Sequence, residues 1–312
     1  MDMQHTSVFN AHSPQAQAIQ QLFYVDLLIA AVIFATVVAL VVTAAIRFRH
    51  RPGSKEPYQD PGNPRLETLW TVIPALILLV LLVMTARTMH IVNPPVRTRT
   101  PDVIVVAHQW WWEYRYPKSG AVTANELHMP LEKNWLLGIQ SADVIHNFWV
   151  PDLAAKMDAI PGHPNYLWIN PQQAGTYLGT CGEYCGAEHA MMGIRVIVQP
   201  PAEFAQWEQA QLQVPAAPLG EAANRGARLF ADRTCMSCHT IAGTKAEGRV
   251  GPDLSHVGAR DTLAAGVLDN SAGNLAKWIA DPQQVKPACN MPSLRLTPTE
   301  ARDIAAYLEE LK

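Results

Sequence analysis

Two long stretches without a charged residue limit the folds that this chain can adopt. Residues 27–46 are twenty uncharged and mostly aliphatic residues, and residues 68–86 are nineteen more. About 20 apolar residues in a helix span the roughly 30 Å hydrocarbon core of a bilayer. The pattern predicts a transmembrane helix hairpin within an N-terminal region of residues 1–90. A pair of buried core helices, or a signal peptide in the first stretch, is the alternative.

The connection between the two stretches carries more basic than acidic residues. Five basic residues stand against three acidic ones, namely Arg47, Arg49, Arg51, Lys55 and Arg65 against Glu56, Asp60 and Glu67. Short loops with an excess of Lys and Arg stay in the cytoplasm. We therefore expect a protein of the bacterial inner membrane, with both termini and all residues after 90 on the periplasmic or outer face. That compartment is oxidising, so a thiol left unpaired there requires an explanation.

The composition of the chain agrees with this arrangement. Charged residues make up 16% of the 312 residues, against about 25% in soluble domains, so part of the surface does not face water. The net charge of −3 leaves no basic surface of the size that phosphate neutralisation requires. We therefore expect a lipid bilayer, and no nucleic acid, among the partners.

The rest of the chain divides into two further domains. Short apolar runs between Pro and Gly residues, such as 103–106 and 193–198, predict a β-sandwich over residues 91–200. Residues 201–218 are rich in Pro, Ala and Gln and predict a linker. Residues 219–312 are predicted to form an all-α domain, with helices at 221–230, 274–280 and 299–311.

A haem-attachment motif lies in the C-terminal domain. The run from Cys235 to His239 has the form C-x-x-C-H. In this motif Cys235 and Cys238 form thioethers with the haem vinyl groups, and His239 is delivered to the iron as an axial ligand. Met291, the only methionine after the motif, is the candidate for the other axial ligand, with the Cys289 thiol as its rival. A redox-active or zinc-binding C-x-x-C with an incidental histidine is the alternative.

A second cluster of sulfur and imidazole groups lies within twelve residues of the predicted sandwich. It consists of Cys181, Cys185, His189 and Met192. Thiolate, thioether and imidazole select copper or zinc over hard cations, and a structural zinc site gains little from a thioether. Copper is therefore favoured. A disulfide between the two cysteines is the alternative, because it suits an oxidising compartment.

A copper site in this loop needs another histidine, and the segment 143–162 offers His146. For His146 alone, a packed core histidine is the alternative. Two bridging thiolates would leave a pair of copper ions nearly neutral, so the pair could be buried and could exchange one electron with little rearrangement. His146 and His189 would each bind one copper, with Met192 and the backbone carbonyl of Glu183 as weak ligands.

Taken together, these motifs resemble subunit II of the haem-copper cytochrome c oxidases over essentially the whole chain. The helix hairpin, the aromatic run 108–114, the segment 143–162 and the loop 181–192 carry the resemblance. The C-terminal domain is similar to the cytochrome c domain fused to this subunit in caa(3)-type enzymes. The resemblance implies a multi-domain membrane protein with a two-helix transmembrane hairpin, a cupredoxin-like β-sandwich and an all-α class I cytochrome c domain.

The resemblance also implies roles for particular residues. A dinuclear copper-A centre would be bound by His146, Cys181, Glu183, Cys185, His189 and Met192. The Glu183 side chain would reach a magnesium ion shared with subunit I. Trp110 would lie where electrons enter the copper domain, and Glu67 near the mouth of a proton channel in subunit I. Without the resemblance, Trp110 would be interpreted as packing and Glu67 as a helix-end carboxylate. Trp111 departs from the family, in which tyrosine is common at this position.

The implied function is electron transfer within a terminal oxidase. Electrons would pass from a soluble or membrane-bound cytochrome c, or another periplasmic donor, to haem c and then to copper-A. Subunit I would reduce oxygen to water with proton pumping, subunit III would complete the complex, and this chain would hold no oxygen-reducing site. The alternatives are the equivalent subunit of a copper-A nitric oxide reductase and a membrane-anchored carrier or copper-delivery protein acting alone. Cys289, the thiol outside both motifs, is expected to be shielded beneath the Met291 loop.

Overall fold

Two long helices form the N-terminal part of the molecule. The computed structural model describes residues 7–53, 56, 58–94 and 99–312, so Lys55 of the predicted cytoplasmic loop lies outside the described residues. The helices are α1 (Pro14–Arg47) and α2 (Pro64–Val92), and they contain both predicted spans. Each is long and apolar enough to cross a membrane.

The apolar side chains of α1 and α2 are exposed rather than packed. None of the residues in the most apolar window of either helix is buried. A core helix of a soluble domain buries its apolar face against other elements, so the alternative of two buried core helices is wrong. At the start of α2, Asn63 Oδ1 accepts hydrogen bonds from the N–H groups of Arg65 and Leu66, and Pro64 occupies a position that needs no donor.

A β-sandwich follows the helices. Its strands are β1 (Val103–His108), β2 (Trp111–Arg115), β3 (Val122–Ala124), β4 (Glu126–Pro130), β5 (Trp135–Ser141), β6 (His146–Trp149), β7 (Met157–Ala159), β8 (Asn165–Ile169), β9 (Gly175–Cys181) and β10 (Gly193–Gln199). They form two five-stranded sheets with the orders β3-β2-β1-β5-β8 and β4-β10-β9-β6-β7. Pairing is parallel between β1 and β5 and between β4 and β10, and antiparallel elsewhere in the two sheets. The predicted β-sandwich is confirmed.

The space between the two sheets holds the core of the sandwich. In β10, Ile194, Val196 and Val198 are buried while Arg195 between them is half-exposed. This alternation is what a strand with one buried face requires, and the burial of its aliphatic side chains stabilises the pairing. The centre of the core contains large side chains that are fully buried, among them Trp112, Tyr114, Phe148, Leu137 and Ile139.

Half of the segment predicted as a linker is helical. Helix α3 (Pro201–Ala210) follows β10 directly. Its Trp207 stacks on His128 with ring centroids 4.0 Å apart, and its Phe204 meets Trp135 edge-on at 5.4 Å. Two aromatic residues three positions apart share one helix face, so this part of the segment folds onto the sandwich. Residues 211–218, which the structure describes throughout, contain no regular helix or strand.

The C-terminal domain is mainly helical, as predicted. Its elements are α4 (Glu221–Asp232), β11 (Thr262–Leu263), β12 (Leu268–Asp269), α5 (Ala272–Ala280), α6 (Pro282–Val285) and α7 (Pro298–Glu309). Helix α4 crosses α7 at Gly226, where a Cβ atom would collide with the backbone of Asp303. Phe230 and Tyr307 meet beside this crossing with ring centroids 5.9 Å apart. This domain and the sandwich belong to one compact unit.

Candidate functional site

The end of β9 and the loop after it bring the predicted copper ligands together. The Sγ atoms of Cys181 and Cys185 lie 3.8 Å apart, and both cysteines are free. The Sγ atom of Cys181 lies 3.9 Å from His146 Nδ1. The Sγ atom of Cys185 lies 3.6 Å from His189 Nδ1 and 3.9 Å from Met192 Sδ. Two thiols, two imidazoles and a thioether therefore face one another.

The pairing of β6 with β9 explains the position of His146. Phe148 of β6 lies opposite Cys181 of β9. Residues two positions apart on a strand face the same side, so His146 points to the same side as Cys181. Both are buried, with His146 fully inaccessible to solvent. A distant segment of the chain thus places an imidazole beside the loop.

The backbone of the loop adds a sixth polar group to the cluster. The carbonyl oxygen of Glu183 lies 3.2 Å from Cys181 Sγ, while the Glu183 side chain is exposed. The preceding residue, Gly182, packs closely on β6, because a Cβ atom there would lie 2.7 Å from Asn147 Oδ1. Its N–H group donates to the Asn147 carbonyl at 2.9 Å. Glycine at this position therefore lets the loop pack closely on β6 without displacing the Asn147 side chain.

A carboxylate holds the ring of His146. The Nε2 atom of His146 donates to Asp143 Oδ1 at 2.7 Å, which leaves Nδ1 free to face the thiols. Burial alone would lower the pKa of His146, but Asp143 and the adjacent Cys181 outweigh it and raise that pKa. Asp143 is itself held by the Gln109 N–H group at 2.6 Å. A carboxylate in this position fixes the orientation of a metal-binding imidazole.

The two thiols of the cluster shift each other's pKa in opposite directions. The hydrogen bond from Cys185, together with His146 and nearby backbone groups, holds the pKa of Cys181 well below its usual range. The neighbouring Cys181 sulfur, together with burial, raises the pKa of Cys185. Because the thiolate is the form that binds a metal, a cation would displace the protons that remain on the pair. In the described part of the chain, His146, Cys181 and Cys185 form a group that could hold a metal ion. The sulfur and imidazole donors fit copper.

A cavity of about 220 Å³ occupies the C-terminal domain, and the residues predicted to bind haem line it. Cys235, Cys238, His239 and Met291 all contribute to its wall. The remaining wall is largely apolar and includes Phe230, Leu254, Leu275, Ile279, Ile304 and Leu308. Two thiols, an imidazole and a thioether around an apolar cavity fit a covalently attached haem.

The surroundings of His239 support this fit. Its Nδ1 atom lies 2.8 Å from the Pro252 carbonyl oxygen and donates to it, which leaves Nε2 without a proton and available to the iron. Burial lowers the pKa of His239, so the ring stays neutral as a ligand requires. Its Cε1 atom packs over Gly251, where a Cβ atom would lie 2.5 Å away. Glycine at this position therefore leaves room for the ring.

Arg260 lines the same cavity, and reasoning from the sequence missed it. Its Nη2 atom donates to the Asp253 carbonyl at 2.5 Å, and burial lowers the pKa of its guanidinium group. Among the described residues, its buried Nε atom has no hydrogen-bond partner. An unpaired buried donor beside the cavity suits the carboxylate of a bound group. A single arginine in a loop has neither periodicity nor ligand spacing, so nothing in the sequence pointed to it.

The fifth cysteine, Cys289, lies beside the loop that carries Met291 and is half-buried. The Nε2 atom of Gln283 lies 3.4 Å from Cys289 Sγ and donates to the Met291 carbonyl at 2.9 Å. Burial raises the pKa of the Cys289 thiol, which lowers its reactivity. The predicted shielding is therefore present in part.

Trp110 lies between the cavity and the cysteine cluster. It lines the cavity, and its Nε1 atom donates to the Cys185 carbonyl at 3.0 Å. Gln109 Nε2 donates to the same carbonyl at 2.8 Å. Trp111 also lines the cavity, and its ring stacks on His108 at 4.1 Å. Glu67 stands elsewhere, exposed in the first turn of α2.

Two membrane-length helices, a sandwich with a copper-binding loop and a domain with a haem cavity define a membrane-anchored electron-transfer protein. Comparison with known proteins gives the family. "Cytochrome C oxidase subunit II, periplasmic domain" matches residues 121–199, "Cytochrome C oxidase subunit II, transmembrane domain" matches 2–87, and "Cytochrome c" matches 223–312. Subunit 2 of cytochrome c oxidase from Alkalihalophilus pseudofirmus is 31% identical, with 99% of this chain and 92% of that protein aligned. The chain belongs to the cytochrome c oxidase subunit II family.

Other relatives carry the same name. Cytochrome c oxidase subunit 2 of Bacillus sp. strain PS3 is 32% identical over 85% of this chain and 80% of its own length. A crystal structure of the periplasmic domain of subunit II of cytochrome oxidase (CoxB) of Bradyrhizobium japonicum is 31% identical. It covers 37% of this chain and 96% of that chain, with a TM-score of 0.35.

Family membership confirms the resemblance and the fold class predicted from the sequence. The chain is a subunit of an oxidoreductase complex of the membrane, and its partner there is subunit I. Copper binding and haem binding follow from the two families that match the sandwich and the helical domain.

Proposed function

We propose that this chain accepts electrons at a covalently bound haem c and delivers them through a dinuclear copper-A centre to subunit I. The observation that carries the proposal is the position of Trp110. It lines the haem cavity and donates a hydrogen bond to the carbonyl of Cys185. A single side chain thus joins the wall of one redox site to a ligand of the other, and we assign to it the path by which electrons enter the copper domain.

The haem c would be attached through Cys235 and Cys238, with His239 and Met291 on its iron. A thioether ligand raises the reduction potential of the iron and fills its last position, which suits electron transfer and leaves no site for oxygen. Pro252 holds the His239 ring in the tautomer that the iron needs. Arg260 would bind a carboxylate of the haem through its unpaired Nε.

Six residues would bind the copper-A centre, namely His146, Cys181, Glu183, Cys185, His189 and Met192. Glu183 would do so through its backbone carbonyl. The two thiols would hold the pair of ions, and each imidazole lies beside a different sulfur, His146 beside Cys181 and His189 beside Cys185. Asp143 would keep the His146 ring in place. When bound, the copper pair supplies a one-electron couple that changes little in geometry.

The remaining assignments follow the family. The exposed carboxylate of Glu183 is proposed to contribute to a magnesium site shared with subunit I, and Glu67 to lie near the mouth of a proton channel in that subunit. Subunit I would reduce oxygen to water with proton pumping, next to subunit III. The donor would be a cytochrome c or another periplasmic carrier. The protein would lie in a bacterial inner membrane, with the domains of residues 91–200 and 219–312 on the periplasmic or outer face.

Substitution of individual cysteines in the purified oxidase complex tests this order of transfer. In the Cys185→Ser variant the copper pair is lost, so we expect haem c to be reduced by an added donor and then to stay reduced while oxygen uptake falls to background. In the Cys238→Ala variant we expect the c-type haem absorption to be lost and the coupled-copper EPR signal to remain.

Cys289→Ser is the matched control, because this cysteine belongs to neither motif, and it should keep both signals and oxygen uptake. Oxygen uptake by Cys185→Ser at the level of Cys289→Ser would contradict the proposal. Reduction of nitric oxide instead of oxygen by the parent complex would favour a nitric oxide reductase.

A further inference from the structure

The segment between α6 and Met291 binds the copper-loop side of the sandwich. The side chain of Lys286, which follows α6, is buried with 3% exposure. Its Nζ atom donates to the Trp110 carbonyl at 2.7 Å and to the Met191 carbonyl at 2.8 Å. The Nδ2 atom of Asn290 donates to the Gln109 carbonyl at 2.8 Å. The loop that carries the haem methionine is therefore bonded directly to the other domain.

The two carbonyls that accept hydrogen bonds from Lys286 belong to residues next to the two proposed redox sites. Trp110 lies between the haem cavity and Cys185. Met191 lies in the short turn between two proposed copper ligands, one residue before Met192. One ammonium group therefore contacts both the electron path and the copper loop, while its own backbone leads to Met291.

The charge of Lys286 favours this packing of the two domains over other packed arrangements. Among the described residues, no carboxylate lies within ion-pair distance of Nζ, so neutral carbonyls hold the buried cation. Burial lowers the pKa of Lys286 to about 8, while Glu188 opposes that change, so the group is charged at neutral pH. A packed arrangement that buried the ammonium group without these carbonyls would bear its desolvation cost, so other packed arrangements of the two domains are disfavoured.

A second buried charge acts from the opposite domain. Glu126 of β4 accepts hydrogen bonds at Oε1 from the N–H and the hydroxyl of Thr262, both at 2.8 Å. Its Oε2 accepts from the Asp261 N–H group at 3.1 Å. Thr262 and Lys286 both line the haem cavity. The helical domain is thus held against the sandwich at two places in the cavity wall. Lys286 acts at one of them, and Glu126 acts at the other through Thr262.

We propose that Lys286 is a positioning residue for electron transfer between the two redox centres. It holds the methionine loop of the helical domain against Trp110 and the copper loop, and so sets the separation of haem and copper. The transfer moves one electron from the haem iron to the copper pair, and no bond forms or breaks. This inference rests on the proposed function and adds to it a residue that binds neither cofactor.

Flash reduction of haem c in the complete oxidase complex tests the role of Lys286. In the Lys286→Met variant we expect transfer to copper to slow by at least roughly tenfold, because the docked arrangement is less populated. Amide exchange in 109–111 and 286–290 should rise, while the haem potential and the copper EPR signal stay as in the parent. Lys286→Arg keeps the charge and the donors, so it should recover most of the rate.

The matched control is Lys277→Met, the same substitution at an exposed lysine of α5, which should leave the rate and the exchange unchanged. A Lys286→Met rate within about twofold of the parent would overturn the proposal, since the docked population would be unaltered. So would a slower rate accompanied by a changed haem potential or copper EPR signal, because Lys286 would then act through a ligand.

If the Lys286→Met complex does not assemble, Asn290→Ala decides the question together with Lys286→Arg. Asn290→Ala removes one of the three bonds and should slow transfer by a smaller factor, and Lys286→Arg should stay near the parent. An unchanged rate in Asn290→Ala, or a Lys286→Arg rate as low as background, would overturn the proposal. Absence of haem-to-copper transfer in the parent complex would instead refute the proposed function.

Discussion

The copper loop and the haem cavity are built in opposite ways. In the copper loop each sulfur or imidazole donor atom lies 3.6–3.9 Å from a neighbouring sulfur, so the chain itself brings the ligands together. In the helical domain the ligands surround about 220 Å³ of space, and the proposed axial ligands belong to segments more than fifty residues apart. A loop is large enough to surround small ions. A large group such as haem instead occupies space inside the domain that apolar side chains would otherwise fill.

The difference predicts unequal consequences when the cofactors are lost. The apolar core of the sandwich includes side chains of the copper loop, but most of its members, among them Trp112 and Leu137, come from strands outside that loop. The helical domain packs much of its apolar surface around the cavity, including Phe230 and Leu308. Haem should therefore be required for folding of its domain, and copper should not be required for folding of the sandwich.

The largest expected effect is the unfolding of the helical domain when haem is not attached. Without haem the apolar wall of this cavity would face water, and the loss of that burial removes a large part of the hydrophobic stabilisation of a small, marginally stable domain. In the double variant Cys235→Ser and Cys238→Ser, we expect amide protection in α4, α5 and α7 to disappear while β9 and β10 keep theirs. Hydrogen exchange of the full chain measures both regions at once. Persistent protection in α4 and α7 would refute the contrast between the two sites.

A smaller effect is expected at the copper loop. Asp143→Asn weakens the acceptor that holds His146, so copper affinity should fall by about 10–100-fold, as is typical for the loss of such a group. The sandwich should still unfold cooperatively at a similar temperature, because its core is unchanged. Competition with a chelator gives the affinity, and thermal unfolding gives the stability. Glu132→Gln, an exposed carboxylate of the same domain, is the control and should change neither.

The two sites also differ in how far the sequence predicted them. The copper loop was predictable because most of its ligands lie within twelve residues, and the C-x-x-C-H motif was predictable for the same reason. The contact of Lys286 with Trp110 was not, because 176 positions separate the two residues and neither has a spacing signal. The same holds for Arg260. Helix α3 was missed because the whole segment 201–218, with its Pro residues, was interpreted as a linker, and only the two aromatic residues of α3 showed that one face could be buried.

The smallest expected effect is that of ionic strength on the rate of haem-to-copper transfer. Measuring it tests whether buried contacts hold the two domains together. Residues 91–218 hold 7 basic and 11 acidic residues, a charge of −4, while residues 219–312 hold 11 of each and are neutral. The exposed ion pair between the two domains, Arg195 with Asp261 at 3.1 Å, contributes about 0–1 kcal/mol, as exposed pairs do. Lys286 and Glu126 are buried, and salt screens buried charges much less.

We therefore expect haem-to-copper transfer to change by less than about threefold between roughly 10 mM and 150 mM salt, where the Debye length falls from about 30 to about 8 Å. Arg195→Gln should lie within the same range at either salt concentration, because tethering keeps the domains close without long-range attraction. Flash-induced kinetics of the complete complex measures the rate. A fall of about tenfold or more would mean that exposed charges hold the domains together, since only those are screened over this range. In that case the buried contacts of Lys286 and Glu126 would not be what keeps the haem cavity against Trp110.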